Sequence, residues 1–61
     1  MNILQTIIDN KISIDYCGKC VWALIKNNSG VVIKNSCVKF TETDGDEAKA
    51  LELAVKKVLG E

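Results

Sequence analysis

The sequence predicts an α+β fold: α-β-β-β-α, a three-stranded antiparallel meander with two helices packed on one face. Three observations predict it. Apolar residues follow a helical period at both ends of the chain. Between those ends the period falls to two. Two turn signals, Gly18-Lys19 and Asn28-Ser29-Gly30, divide the middle stretch into three strands joined by tight hairpins.

The opening helix is expected over Asn2 to Asp9. Asn2 can cap it, and Ile3, Leu4, Ile7 and Ile8 share one face. Asn10 and Lys11 end it. In KISIDYC, Ile12, Ile14 and Tyr16 alternate with Ser13, Asp15 and Cys17, as in a half-buried strand. CVWALIK is a second, more apolar strand and takes the centre of the sheet. NNSG is a turn, with Gly30 free to take positive φ. The third strand is expected from Val31 to about Thr41. The last helix has the clearest signals. Asp44 is the expected N-cap, with Glu47 three residues on as in a capping box. Lys56 and Lys57 suit its C-terminal end, and Gly60 stops it. Ala48, Leu51, Ala54, Val55, Val58 and Leu59 form its apolar stripe, with Leu53 off it. The chain has 61 residues, enough for one domain (1–61) and no more.

Turn lengths set the expected register. A Gly18-Lys19 loop of type II′ places Cys17 opposite Cys20, Tyr16 opposite Val21, Ile14 opposite Ala23 and Ile12 opposite Ile25. A loop of Asn28, Ser29 and Gly30 places Asn27 opposite Val31, Ile25 opposite Ile33 and Val21 opposite Cys37. These choices gather Ile12, Ile14, Tyr16, Val21, Ala23, Ile25, Val31, Ile33 and Cys37 under the helices. The other face is then Lys11, Ser13, Asp15, Cys17, Cys20, Trp22, Leu24, Val32, Lys34, Ser36, Val38 and Phe40, with Trp22 opposite Asp15 and Ser36. A shift of one residue in the second hairpin would scatter both sets.

Eight Lys balance eight Asp and Glu, with neither Arg nor His. A phosphate-binding surface needs clustered cations, so zero net charge argues against nucleic acid as partner. Without His there is no imidazole base and no Ser-His-Asp or Cys-His arrangement, so no enzyme is expected. No apolar run approaches the roughly 20 residues of a membrane helix, and MNILQTIIDNK lacks the pattern of a signal peptide. We expect a soluble cytoplasmic protein of a bacterium or its virus. The run TDGDE lacks the ligand spacing of a calcium loop, and its acidic residues serve the helix start.

Cys17 and Cys20 flank the first turn in YCGKCV. A thioredoxin-type pair sits at a helix N-terminus, whereas a strand follows here. Structural zinc needs four ligands, so only two copies of the chain pooling their pairs would complete a Cys₄ site. The reading we adopt is two reduced thiols beside a turn, with no cofactor. The state of Cys37 is left open.

The candidate binding residues are Trp22, Leu24, Lys34, Ser36, Phe40 and Asp15, which the register collects on the uncovered face. Aromatic anchors and exposed apolar patches mark interfaces. A second copy or a foreign protein would fit such a face, and a homodimer is expected.

Several stretches resemble known families. The end stretches NILQTIIDN and GDEAKALELAVKKVL, in their α-β-β-β-α order, resemble a double-stranded-RNA-binding domain. That resemblance implies phosphate contacts by Lys19, Lys49, Lys56 and Lys57. ISIDYCGKCVWALIKNNSGVVI with GDEAKALELAV looks like the first half of a ribonuclease H fold, in which Asp15 and Glu47 would match two acidic metal ligands. TETDGDEAKALELAVKKVL is similar to the helix end of HicB-type antitoxins. IIDNKISI, VWAL and AVKKVLGE look like small α/β sandwich-type proteins carried by phages. That last resemblance implies a non-enzymatic accessory protein or inhibitor that occupies a host protein or holds a small ligand. A double-stranded-RNA-type module is the alternative.

Overall fold

A computed structural model describes residues 2–60 and has the expected order. Helix α1 spans Ile3–Asp9, strands β1, β2 and β3 span Ile12–Cys17, Cys20–Lys26 and Val32–Lys39, and helix α2 spans Glu47–Val58. The sheet order is β1-β2-β3, both pairs antiparallel. The core lies between the sheet and α2, where Val21, Ala23 and Val38 meet Ala50, Ala54, Val55 and Val58. Helix α1 adds Ile3 and Ile7 beside Ile12.

The Asn2 side chain accepts the Gln5 N–H at 3.1 Å, so α1 begins at the expected cap. It ends at Asn10, after which Lys11 takes a left-handed φ of 53°. Only part of its apolar stripe goes inward. Leu4 and Ile8 are 68% and 59% exposed, because a helix of 7 residues over an edge strand covers less than the stripe's width.

The first hairpin has the expected register throughout, from Ile12 opposite Ile25 to Cys17 opposite Cys20. Its turn is not type II′, since neither Gly18 nor Lys19 has positive φ. Two other ties hold its end: a bond between the cysteines and a hydrogen bond of 3.0 Å from Phe40 N–H to the Lys19 carbonyl.

The second hairpin departs from expectation after two pairs, Asn27 with Val31 and Lys26 with Val32. Asn27 N–H does bond to Val31 O at 2.9 Å across the Asn28-Ser29-Gly30 loop, and Gly30 has φ 82°. The Asn27 carboxamide oxygen also accepts the N–H groups of Ser29 and Val31, fixing the loop. A bulge then follows, in which Lys26 pairs with Val32 but Ile25 pairs with Lys34. Ile33 is the extra residue, and beyond it β3 is shifted by one. Val38 therefore faces Val21, Ser36 faces Ala23, and Cys37 faces Trp22.

The reason lies in what would otherwise sit under α2. The unshifted register puts Asn35 opposite Ala23, whose site is fully buried. A carboxamide there carries four hydrogen-bonding positions to satisfy. Ser36 has one hydroxyl, which donates to the Ala54 carbonyl of α2 at 2.6 Å. The shift also exchanges half-buried Cys37 for Val38, which is 0% exposed.

Strand β3 ends at Lys39, short of Thr41, and a 3₁₀ turn runs from Phe40 to Thr43. Glu42 caps it by accepting the Lys39 N–H at 2.8 Å. Asp44 is left-handed (φ 52°) and Gly45 has φ 82°, so no helix can start there. The cap of α2 is Asp46, whose carboxylate accepts the Lys49 N–H at 3.0 Å. Two further expectations for α2 are corrected: Ala48 is exposed and Leu53 packs on the core, where Ala50 is also buried. Gly60 follows the helix with φ 82°, as a C-terminal stop does.

Candidate functional site

Both helices lie on one side of the sheet, and among the described residues no element covers the opposite face. Alternation along β2 places Cys20, Trp22 and Leu24 there. Directly opposite Trp22 stand Asp15 on β1 and Cys37 on β3. Ser13 and Asn35 flank Leu24, while Lys26 and Val32 close the far end. Trp22 is 39% exposed at the centre, with Leu24 half-buried beside it. An aromatic centre with Asp, Ser, Asn and Lys around it has the anatomy of a protein-binding patch.

The expected site residues divide between the two faces. Trp22, Leu24 and Asp15 lie together as expected. Ser36 does not: its hydroxyl is turned to α2. Lys34 pairs with Ile25 and so belongs to the helix side, at an exposed position. Phe40 has left the sheet and packs half-buried against the core, its ring 6.5 Å from that of Tyr16. The bulge at Ile33 is responsible for Lys34 and Ser36, and the early end of β3 for Phe40. In exchange the face gains Cys37, Asn35 and Lys39. Val31 and Ile33, expected under the helices, are each 58% exposed. Tyr16 remains on the helix side but at its open edge.

The cysteines differ most from expectation. Cys17 and Cys20 are joined as a disulfide, with Cα atoms 5.3 Å apart, rather than standing as two reduced thiols. A directly paired position at the end of a hairpin falls inside the Cα range that a disulfide requires. Both sulfurs are thereby occupied, and the thiolates that zinc would need are not available in this form. Cys37 is the free cysteine.

Next to the disulfide is a half-open depression of about 580 Å³, lined by Cys17, Gly18, Lys19, Cys20, Lys39, Phe40 and Thr41. It exists because the Phe40 N–H ties the 3₁₀ turn back to the hairpin tip. Its chemistry is apolar at the walls and cationic at two exposed lysines. The salt bridges within 4.0 Å among the described residues are Lys56–Glu52 at 3.3 Å and Lys57–Glu42 at 3.8 Å, and neither includes Lys19 or Lys39. The lysines matched to phosphate contacts are thus partly engaged within the fold. Among the described residues, Asp15 and Glu47 are not joined by a third ligand into a metal-binding group.

Compared with protein-family models, curated proteins and solved structures, the chain matches none. No helix among the described residues is long and apolar enough to cross a membrane.

Proposed function

We propose that this is a non-enzymatic, cytoplasmic interaction protein, of the kind that phages and mobile elements use to occupy a host protein. Its binding surface is the uncovered sheet face centred on Trp22. One observation carries this reading. A tryptophan stands 39% exposed on the central strand, with no element of the described residues over it and polar residues around it. An aromatic anchor beside Leu24 and Val32, ringed by polar residues, is the composition of a protein-binding patch. The same face suits a second copy of the chain, so a homodimer is the resting form and a foreign protein competes for it.

The test compares the wild type with Trp22→Lys by native mass spectrometry and by co-purification from cells. The wild type is expected as a dimer or a stoichiometric complex, and the variant as a folded monomer that retains neither. A wild type that is monomeric and retains no protein, with the indole shielded from aqueous quenchers, would overturn the reading.

A further inference from the structure

The depression beside the disulfide has a feature that a crosslink serving only stability does not need. Its walls hold both sulfur-bearing residues and two lysines outside any ion pair among the described residues. The two cysteines are unequal. Cys17 is exposed, whereas Cys20 is only 9% exposed. Lys39 stands directly opposite Cys20 in the β2–β3 ladder, on the same face, and Lys19 adjoins it in the turn. Cations beside a cysteine favour its thiolate, and a thiolate leaves a disulfide faster as its pKa falls.

We propose that Cys17–Cys20 is a thiol–disulfide exchange site for small anionic thiols, those that carry a carboxylate as well as a sulfhydryl. The incoming thiolate attacks the Cys17 sulfur, the accessible one. A bond forms between the thiol's sulfur and Cys17, the Cys17–Cys20 bond breaks, and its electron pair leaves on Cys20 as thiolate beside Lys39. A second equivalent of thiol attacks the mixed disulfide and departs as the oxidised dimer. The net change reduces one protein disulfide and oxidises two thiols to one disulfide. The ligand's carboxylate meets Lys19 and Lys39, and its chain lies along the Phe40 wall. The ring closed by the disulfide spans only Cys17 to Cys20, so chain entropy protects it less against reduction than it would a longer loop.

The test uses the intact oxidised protein at low ionic strength with three probes: 3-mercaptopropionate, neutral 2-mercaptoethanol and cationic cysteamine. Each is supplied at the same thiolate concentration, and each rate is divided by that thiolate's rate toward a small neutral disulfide, because nucleophilicity itself rises with the thiol's pKa. Acid quenching, alkylation and intact-mass measurement give the rate, and peptide mapping gives the site. At matched thiolate, the anionic probe is expected to react about fivefold faster than the neutral one, and cysteamine slowest. Salt should compress the difference, and the first adduct should map to Cys17. Lys19→Glu with Lys39→Glu should reverse the order, while Lys56→Glu leaves it intact. Equal rates for the three probes, an order untouched by the Lys19/Lys39 change, or a first adduct on Cys20 or Cys37 would each overturn the proposal. The order among probes is read on the wild type, so a poorly folding variant does not remove the test.

Discussion

At the scale of single residues, Val38 and Cys37 show what the bulge decides. Both are small apolar residues on β3, and nothing in their chemistry says which one points inward. Val38 is fully buried against Val21, and Cys37 stands half-buried beside Trp22. Val38→Ala is therefore expected to lower stability by roughly 2 kcal/mol in urea titration, with Cys37→Ala costing less than half as much. An opposite order would restore the unshifted register. Ser36→Ala removes the hydroxyl that bonds the Ala54 carbonyl of α2, at a cost of about 1 kcal/mol. Ile33, the extra residue, is exposed, so its truncation should change stability by less than about 0.5 kcal/mol.

At the scale of elements, legibility followed the number of independent signals. Strand β1 alternates cleanly, and the loop of Gly18 and Lys19 allowed one pairing, so the first hairpin was readable pair by pair. The stretch leading into β3 reads Val31-Val32-Ile33 and continues with Lys34-Asn35-Ser36, two runs without alternation. Periodicity cannot place a bulge inside such runs, and the deciding contact, Ser36 to α2, lies 18 residues away in sequence. The face carrying Trp22, Leu24 and Asp15 was legible because β1 and β2 set it. Lys34, Ser36 and Phe40 were misplaced because β3 sets theirs. The start of α2 erred for a local reason: Asp44 and Asp46 are both capable caps, and Gly45 between them takes the left-handed turn. Asp46→Ala should cost about 1 kcal/mol and Asp44→Gly nothing, by thermal or urea unfolding. The pairing of Cys17 with Cys20 was readable in register but not in oxidation state, which depends on the surroundings as well as on geometry. Reducing that bond should lower stability by about 2 kcal/mol. Amide exchange should rise first and most in β1 and the hairpin tip, with α2 losing no more protection than the fall in global stability.

At the scale of the whole molecule, a chain of 61 residues covers only roughly 60% of the surface it exposes when unfolded. Its core rests largely on Val and Ala, with Val21, Val38 and Val55 the largest side chains fully enclosed. Meanwhile Trp22 and Val32 remain exposed on the uncovered face, with Leu4, Ile8, Val31 and Ile33 exposed elsewhere. Apolar area is therefore divided between an internal core and an outer face, and stability should depend on what covers that face. If a second copy covers it, folding and association are linked, and the melting temperature rises with protein concentration. For a domain this small, each 1 kcal/mol gained in that way moves the midpoint by roughly 4–8 °C. Trp22→Lys should abolish the concentration dependence and lower the melting temperature at high dilution only modestly, because the indole lies outside the core cluster although its sheet neighbours cover more than half of it. A large drop at every concentration would instead place Trp22 inside the monomer. A wild-type midpoint independent of concentration would remove the second copy from the face and leave a foreign protein as its occupant.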